Sequence, residues 1–319
     1  MRRIVLYFIL LGILSLSACA AKEQRSKLTV LSSIKPVQAM VSAIAGEHVL
    51  THQLIPDFAS PHNYTFKPSD MRQIESADVI FRIDEHFEVV LNSAFEDLKN
   101  HSKVISLAEN PAIRLLRTTE EHKHSEHDEE HSEEQHETAD MHIFTSPKNA
   151  MVMAKVIADT LSNLEPKNAE SYQRNLQRFK DKVTKVSNKI RLELEPVKNK
   201  PYVVFHNSWQ YFGRYFGLQS PTVVDFQENV TAGGRTVKNI RNEIISKNIR
   251  CIFKEPSTPQ SRVNVLTENL SDDISSKQNG NGIKNVEIDV LGRNIQINQD
   301  SYVTWLSYMG EQVKQCLEE

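Results

Sequence analysis

The chain has 319 residues, enough for two domains of ordinary size, each with its own core. A hydrophobic content of 39% with 25% charged residues excludes a disordered or membrane-embedded chain. The net charge of -3 is unevenly placed: residues 120–137 hold nine acids and one lysine, which leaves the rest of the chain mildly basic. That remainder has no concentrated Lys/Arg stripe with interleaved aromatics, so nothing points to a nucleic-acid partner.

In chain order, residues 1–18 read as a signal segment. Arg2 and Arg3 form a positive start, and residues 4–16 are an apolar run too short for a comfortable membrane span. The run ends Leu16-Ser17-Ala18-Cys19, which looks like a bacterial lipobox, with Cys19 becoming a lipidated N-terminus that anchors the chain to a membrane. Ordinary cleavage near Ala20 or Ala21 is the alternative, and both readings export the protein. Export gives Cys251 and Cys316 an oxidising setting, where an even pair suggests one disulfide. Closing a loop of roughly 65 residues would contribute roughly 3–4 kcal/mol. Two free thiols are the alternative.

Residues 19–27 read as a tether. A strand over 28–31 and a helix opening near Pro36 and ending at Gly46 follow. Then come a strand over 49–55, a loop over 56–61, a helix from Ser69, a strand over 79–83, a helix over 85–99 and a strand over 103–107. This alternation predicts parallel βαβ units. Residues 118–139 interrupt it with almost no apolar residues and read as a disordered loop. Ser146 and Pro147 then cap and open a new helix.

From about Lys167 to Glu195 one apolar stripe runs through Tyr172, Leu176, Phe179, Val183, Val186, Ile190 and Leu194. At 1.5 Å per residue this helix spans about 40 Å. Half of a coiled-coil dimer is the alternative. An intramolecular strut fits better, because βα alternation resumes at once: strands over 202–205, 222–224 and 251–253, with helices over 208–216 and 236–247. The predicted architecture is α/β: two βα lobes with parallel sheets, residues 28–165 and 198–319, joined by one long rigid helix over 166–197. A monomer follows from that reading.

His62 lies in a loop after a strand, His142 just before the helix at Pro147, and His206 directly after a strand. Groups at the carboxyl ends of strands line the ligand crevice of open α/β sheets, so the three could converge between the lobes. Asp289, beside Gly292, is a candidate fourth ligand, although such an Asp more often stabilises a turn. Three imidazoles plus a carboxylate or water is a zinc environment, and imidazole suits zinc better than manganese. His122, His124, His127, His131 and His136 put five of the 12 histidines within the acidic loop, an auxiliary metal-binding stretch in this reading. A solvated acidic loop with incidental histidines is the bland alternative.

Several segments carry a family resemblance. They are Ser33-Ile34-Lys35-Pro36, Ser60-Pro61-His62-Asn63-Tyr64 with Lys67-Pro68-Ser69-Asp70, and Met141-His142-Ile143-Phe144-Thr145-Ser146-Pro147. Val204-Phe205-His206-Asn207-Ser208-Trp209-Gln210-Tyr211-Phe212, Phe253-Lys254-Glu255-Pro256 and Asp289-Val290-Leu291-Gly292 follow in order. Together they resemble the solute-binding proteins of metal ABC importers, and within them the zinc-specific ZnuA type. The resemblance implies a high-affinity Zn²⁺ receptor in the periplasm or cell envelope that delivers its ion to a membrane permease. It also implies His62, His142 and His206 as ligands, Asp289 as a carboxylate some members use, and a Cys251–Cys316 disulfide. Other zinc members carry a glutamate before the first histidine, where this chain has Pro61, which leaves Asp289 or water for the fourth place. Glu255 is a candidate for orienting an imidazole.

A manganese or iron receptor of the same family is the nearest rival, but it pairs two histidines with two carboxylates. A zinc hydrolase or lyase is the rival from another class. No H-E-x-x-H motif and no evident general base supports it, so the reading is a non-enzyme.

Overall fold

A computed structural model describes residues 27–96, 98, 103–118, 139–224, 234–268, 270 and 282–318. The signal segment with Cys19 and the five histidines of the acidic loop lie outside the described residues. Short runs rich in Val and Ile form two four-stranded sheets, each wholly parallel. The first has the order β2-β1-β3-β4, built from β1 (Thr29–Ser32), β2 (Leu50–Gln53), β3 (Val79–Arg82) and β4 (Lys103–Ser106). The second has the order β10-β9-β7-β8, from β7 (Val203–Val204), β8 (Thr222–Val223), β9 (Cys251–Lys254) and β10 (Lys284–Glu287). Between them, β5 (Leu116–Arg117) and β6 (Ala139–Asp140) form a small antiparallel ribbon that brackets the acidic insertion.

Helices cover these sheets. Those of the first half are α1 (Lys35–Ala45), α2 (Pro68–Ser76), α3 (Asn92–Glu96) and α4 (Pro147–Leu164). After α5 (Ala169–Leu194) come α6 (Gln210–Phe216), α7 (Gly234–Ser246), α8 (Gln260–Thr267) and α9 (Ser301–Leu317). α4 opens as its sequence predicts: Ser146 Oγ accepts from the Asn149 amide and Pro147 occupies the first turn.

The predicted helix over 85–99 is the main departure. In its place are a turn, a 3₁₀ segment at Val89–Leu91 and the short α3. Glu88 folds back to accept from the amides of Ile83 and Asp84, both at 3.0 Å, and from Ser33 Oγ at 2.5 Å. A side chain that satisfies nearby backbone donors competes with the helical ladder, and here it wins. The ribbon β5–β6 is likewise unforeseen, being only two residues on each side.

α5 is the predicted strut, preceded by a 3₁₀ turn at Pro166–Asn168. Its buried face carries Tyr172, Leu176, Phe179, Val183, Ile190 and Leu194, with Ser187 buried where Val186 is only half-buried. This face packs on α1 and α4 from the first lobe and on α9 and α6 from the second. Gly310 of α9 permits a close approach: a Cβ there would lie 2.9 Å from Ile190 Cγ1. Asn175 Nδ2 also donates to Ile44 O at 2.9 Å, and Tyr302 OH donates to Phe144 O at 2.9 Å. One continuous apolar cluster consequently runs from β1 through α5 to α9, and a smaller one lies around Val203, Ile244 and Ile252. Cys251 at the start of β9 is bonded to Cys316 of α9, with Cα atoms 5.5 Å apart.

Candidate metal centre

His62 stands in a turn after β2, where its amide donates to Ser60 Oγ at 3.3 Å. The following loop is pinned by Asp70, which accepts from Tyr64 OH at 2.7 Å and from the Lys67 amide at 2.9 Å. His142 begins the 3₁₀ turn ahead of α4. His206 follows β7 by two residues. The three imidazoles meet in one crevice: ring centres are 4.9 Å apart for His142 and His206, 5.7 Å for His62 and His142, and 6.3 Å for His62 and His206. Phe87 walls the crevice, 5.0 Å from the His62 ring and 5.1 Å from that of His142, and Phe144 backs it.

A carboxylate orients two of the three rings. Asp140 Oδ1 accepts from both the backbone amide of His142 at 2.8 Å and its ring Nδ1 at 2.7 Å. On the second lobe, Glu255 Oε1 accepts from His206 Nδ1 at 3.1 Å and from Ser208 Oγ at 2.5 Å. Strand register accounts for this second pair: Val204 faces Phe253 across β7 and β9, and two residues onward His206 faces Glu255. A carboxylate accepts only, so each imidazole donates from Nδ1, and in the neutral ring this leaves Nε2 as the nitrogen that can bind a metal. The expectation that Glu255 orients an imidazole is met in this geometry.

The electrostatics agree. Burial opposes ionisation of Glu255, but the hydrogen bonds from His206 and Ser208 prevail and hold its carboxyl down at about 2. Asp140 is held low in the same way by His142, against its burial. For His62, crowding by protein atoms, then repulsion from His142 and His206, pushes the imidazole down to about 4, although one edge of the residue stays open to solvent. The Glu255 carboxylate pulls the other way, but burial and the two neighbouring imidazoles prevail and favour a neutral His62 at pH 7.

Asp289 is buried beyond β10 and its carboxylate serves its own loop. It accepts from the amides of Gly292 at 3.1 Å and Arg293 at 2.5 Å. Gly292 has φ +68, and a Cβ there would press on Trp305 at 2.9 Å, so the loop depends on glycine at this position. Lys35 Nζ from the first lobe donates to Arg293 O at 2.6 Å and pairs with Asp57 at 2.8 Å, docking the loop across the lobes. Among the described residues, no three or more His, Cys, Asp or Glu side chains are grouped closely enough to hold a metal ion as they stand. The histidines stand as ring neighbours, with Asp289 outside their contacts.

Three participants are given no role in the sequence reading. Asp140 carried a usable signal, since an Asp two residues before a candidate ligand can reach its ring. Phe87 lay within a predicted helix. Gln210, which donates from Nε2 to Asp140 Oδ2 at 2.6 Å, approaches over 70 residues of sequence, and no local pattern reveals it.

A family model described as "ZnuA: Zinc-uptake complex component A periplasmic" matches residues 30–316. A Yersinia pestis protein named "High-affinity zinc uptake system protein ZnuA" is 29% identical over 300 residues, covering 90% of this chain and 91% of its own length. A Brucella abortus protein of the same name is 27% identical over 326 residues, covering 94% of each. The solved structure of the "periplasmic zinc binding protein TroA" from Treponema pallidum superposes with a TM-score of 0.73 at 19% identity, over 92% of this chain and all of that one. That last likeness concerns the fold alone. With the family model matched across nearly its whole length, the chain belongs to the ZnuA family.

Proposed function

We propose that this protein captures Zn²⁺ outside the inner membrane and delivers it to the permease of an ABC-type zinc importer, with His62, His142 and His206 as donors. The observation that carries the reading is the meeting of three imidazoles, two from the first lobe and one from the second, in one crevice. An ion bound at the usual zinc–nitrogen distance with tetrahedral angles sets ring centres roughly 5 Å apart. His142 and His206 already stand at 4.9 Å, and His62 is further out, so loading draws the exposed His62 turn inward. An all-imidazole set favours zinc over manganese. The names of the relatives, both zinc uptake proteins, support the same ion.

Asp289 or a water completes the coordination in this reading; for Asp289 to do so, its carboxylate must leave the amides of its turn. The histidines of the acidic insertion, His122, His124, His127, His131 and His136, gather zinc near the crevice. Deleting that insertion should slow uptake under zinc starvation, and unchanged uptake would count against the role. The chain works as an exported monomer in the periplasm, tethered through Cys19 and stapled by Cys251–Cys316, and it catalyses no reaction. The two lobes take residues 28–165 and 198–319, with the linking helix over 166–197.

The deciding experiment is metal analysis of protein purified without added metal, followed by titration of Zn²⁺ in competition with Mn²⁺. Zinc should be retained and preferred. Preferential Mn²⁺ binding, or zinc affinity unchanged in His206→Ala, would sink the proposal.

A further inference from the structure

Asp140 is held from both lobes. Its Oδ1 takes both N–H groups of His142, and its Oδ2 takes the amide of Gln210 at 2.6 Å. Its main-chain carbonyl accepts from Tyr211 OH at 2.5 Å, and the same hydroxyl accepts from the Leu116 amide at 2.9 Å. Gln210 also donates to Arg117 O at 3.1 Å, so one side chain fastens both strands of the ribbon. Gln210 and Tyr211 open α6, only four residues after His206. The segment that carries the second-lobe histidine thus also clamps the carboxylate behind a first-lobe histidine.

We infer that Gln210 is a positioning residue for His142, acting through Asp140, so that His142 is aimed at the metal only while the segment bearing His206 is docked. The physical reason lies in the Asp χ2 torsion, which is broad and roughly two-fold. Two donors on Oδ1 leave the carboxylate free to swing about that contact. A third donor on Oδ2 fixes its plane, and with it the Nδ1–H bond that sets the His142 tautomer and ring angle. Asp140 is 5% exposed and His142 13%, so little water is available to replace a lost donor. The inference rests on the zinc-receptor reading and adds a coupling between ligands of opposite lobes.

The test uses the full exported chain as Gln210→Leu and Gln210→Glu beside wild type and His142→Ala. Three quantities are measured: zinc affinity against a chelator, the visible absorption of bound Co²⁺, and the melting temperature without metal. Gln210→Leu should weaken zinc binding about 10-fold, the lower end for loss of a ligand-orienting partner. It should also alter the Co²⁺ band, with metal-free melting lowered by no more than the loss of two hydrogen bonds accounts for. Gln210→Glu, which sets a carboxylate against Asp140, should lose more. Wild-type zinc affinity and an unaltered Co²⁺ band in Gln210→Leu, with His142→Ala strongly impaired, overturn this inference alone. A lowered metal-free melting temperature with an unaltered Co²⁺ band overturns it too, because the role is then merely structural. A wild type that binds no zinc defeats the receptor reading and the inference together.

Discussion

His142 and His206 are each oriented by a carboxylate, yet the two arrangements are built differently. Asp140 lies two residues from its histidine, is almost fully buried and accepts two of its N–H groups. Glu255 follows a neighbouring strand 49 residues away, is 22% exposed and takes the ring N–H of His206 on the same oxygen that accepts from Ser208 Oγ. The first pair is local in sequence and held in place by the opposite lobe. The second is tertiary, set by strand register within its own lobe. A local turn brings a carboxylate to its histidine, but holding that pair in register with a donor of the other lobe needs contacts that cross between them.

The comparison can be broken most forcefully by removing a donor. His142→Ala should weaken zinc binding by more than about 100-fold, above the 10–100-fold range for orienting partners, as read by chelator competition. Asp140→Asn comes next at roughly 10–100-fold, because the amide cannot accept everything the carboxylate does in a nearly dry setting. Glu255→Gln should cost less, about 10-fold or under, since water can reach the site. An equal or larger loss in Glu255→Gln would reverse the proposed ranking.

Two further variants should leave zinc nearly alone and act on stability. Replacing Cys251 and Cys316 by Ser opens a closed loop spanning 65 residues, at a cost of roughly 3–4 kcal/mol in denaturant melts. A large fall in zinc affinity there would show that β9, and Glu255 beyond it, depends on the staple. Glu88 tests the first lobe. Its burial pushes the carboxyl up to about 7, with Ser33 and the Ile83 and Asp84 amides opposing. The unfolded value is near the ordinary one, so between about 4.5 and 7 the folded chain binds the extra proton. Stability should therefore fall as pH rises through that window, by roughly 2–4 kcal/mol from this group. Glu88→Gln should flatten the slope between melts at pH 5 and 7.5, and a slope left intact would assign it elsewhere.

The alternation of apolar runs with helical stripes made the two-lobe architecture legible, because β and α periodicities differ and α5 carries an uninterrupted stripe. His62, His142 and His206 were legible through the strands and helices beside them. The turn at residues 84–88 was not, since Glu88 reaches back to its own backbone and no periodicity encodes that. Nor was Gln210, whose role exists only once α6 lies against the ribbon. Asp289 shows the converse. Its place beside Gly292 suggested both a turn and a ligand, and the folded chain spends its oxygens on the turn.

The single apolar cluster that runs from β1 through α5 into α9 bears on how a permease can tell full from empty. Swinging the lobes widely apart would expose that shared interior to water, at about 25 cal/mol for each Å² uncovered. A single bound ion is poorly suited to drive such an opening. With the proposed ligand set, loading is written on the rim of the crevice, in the set of the His62 turn and the ribbon beside α6, and a partner reads that local relief instead of the overall outline.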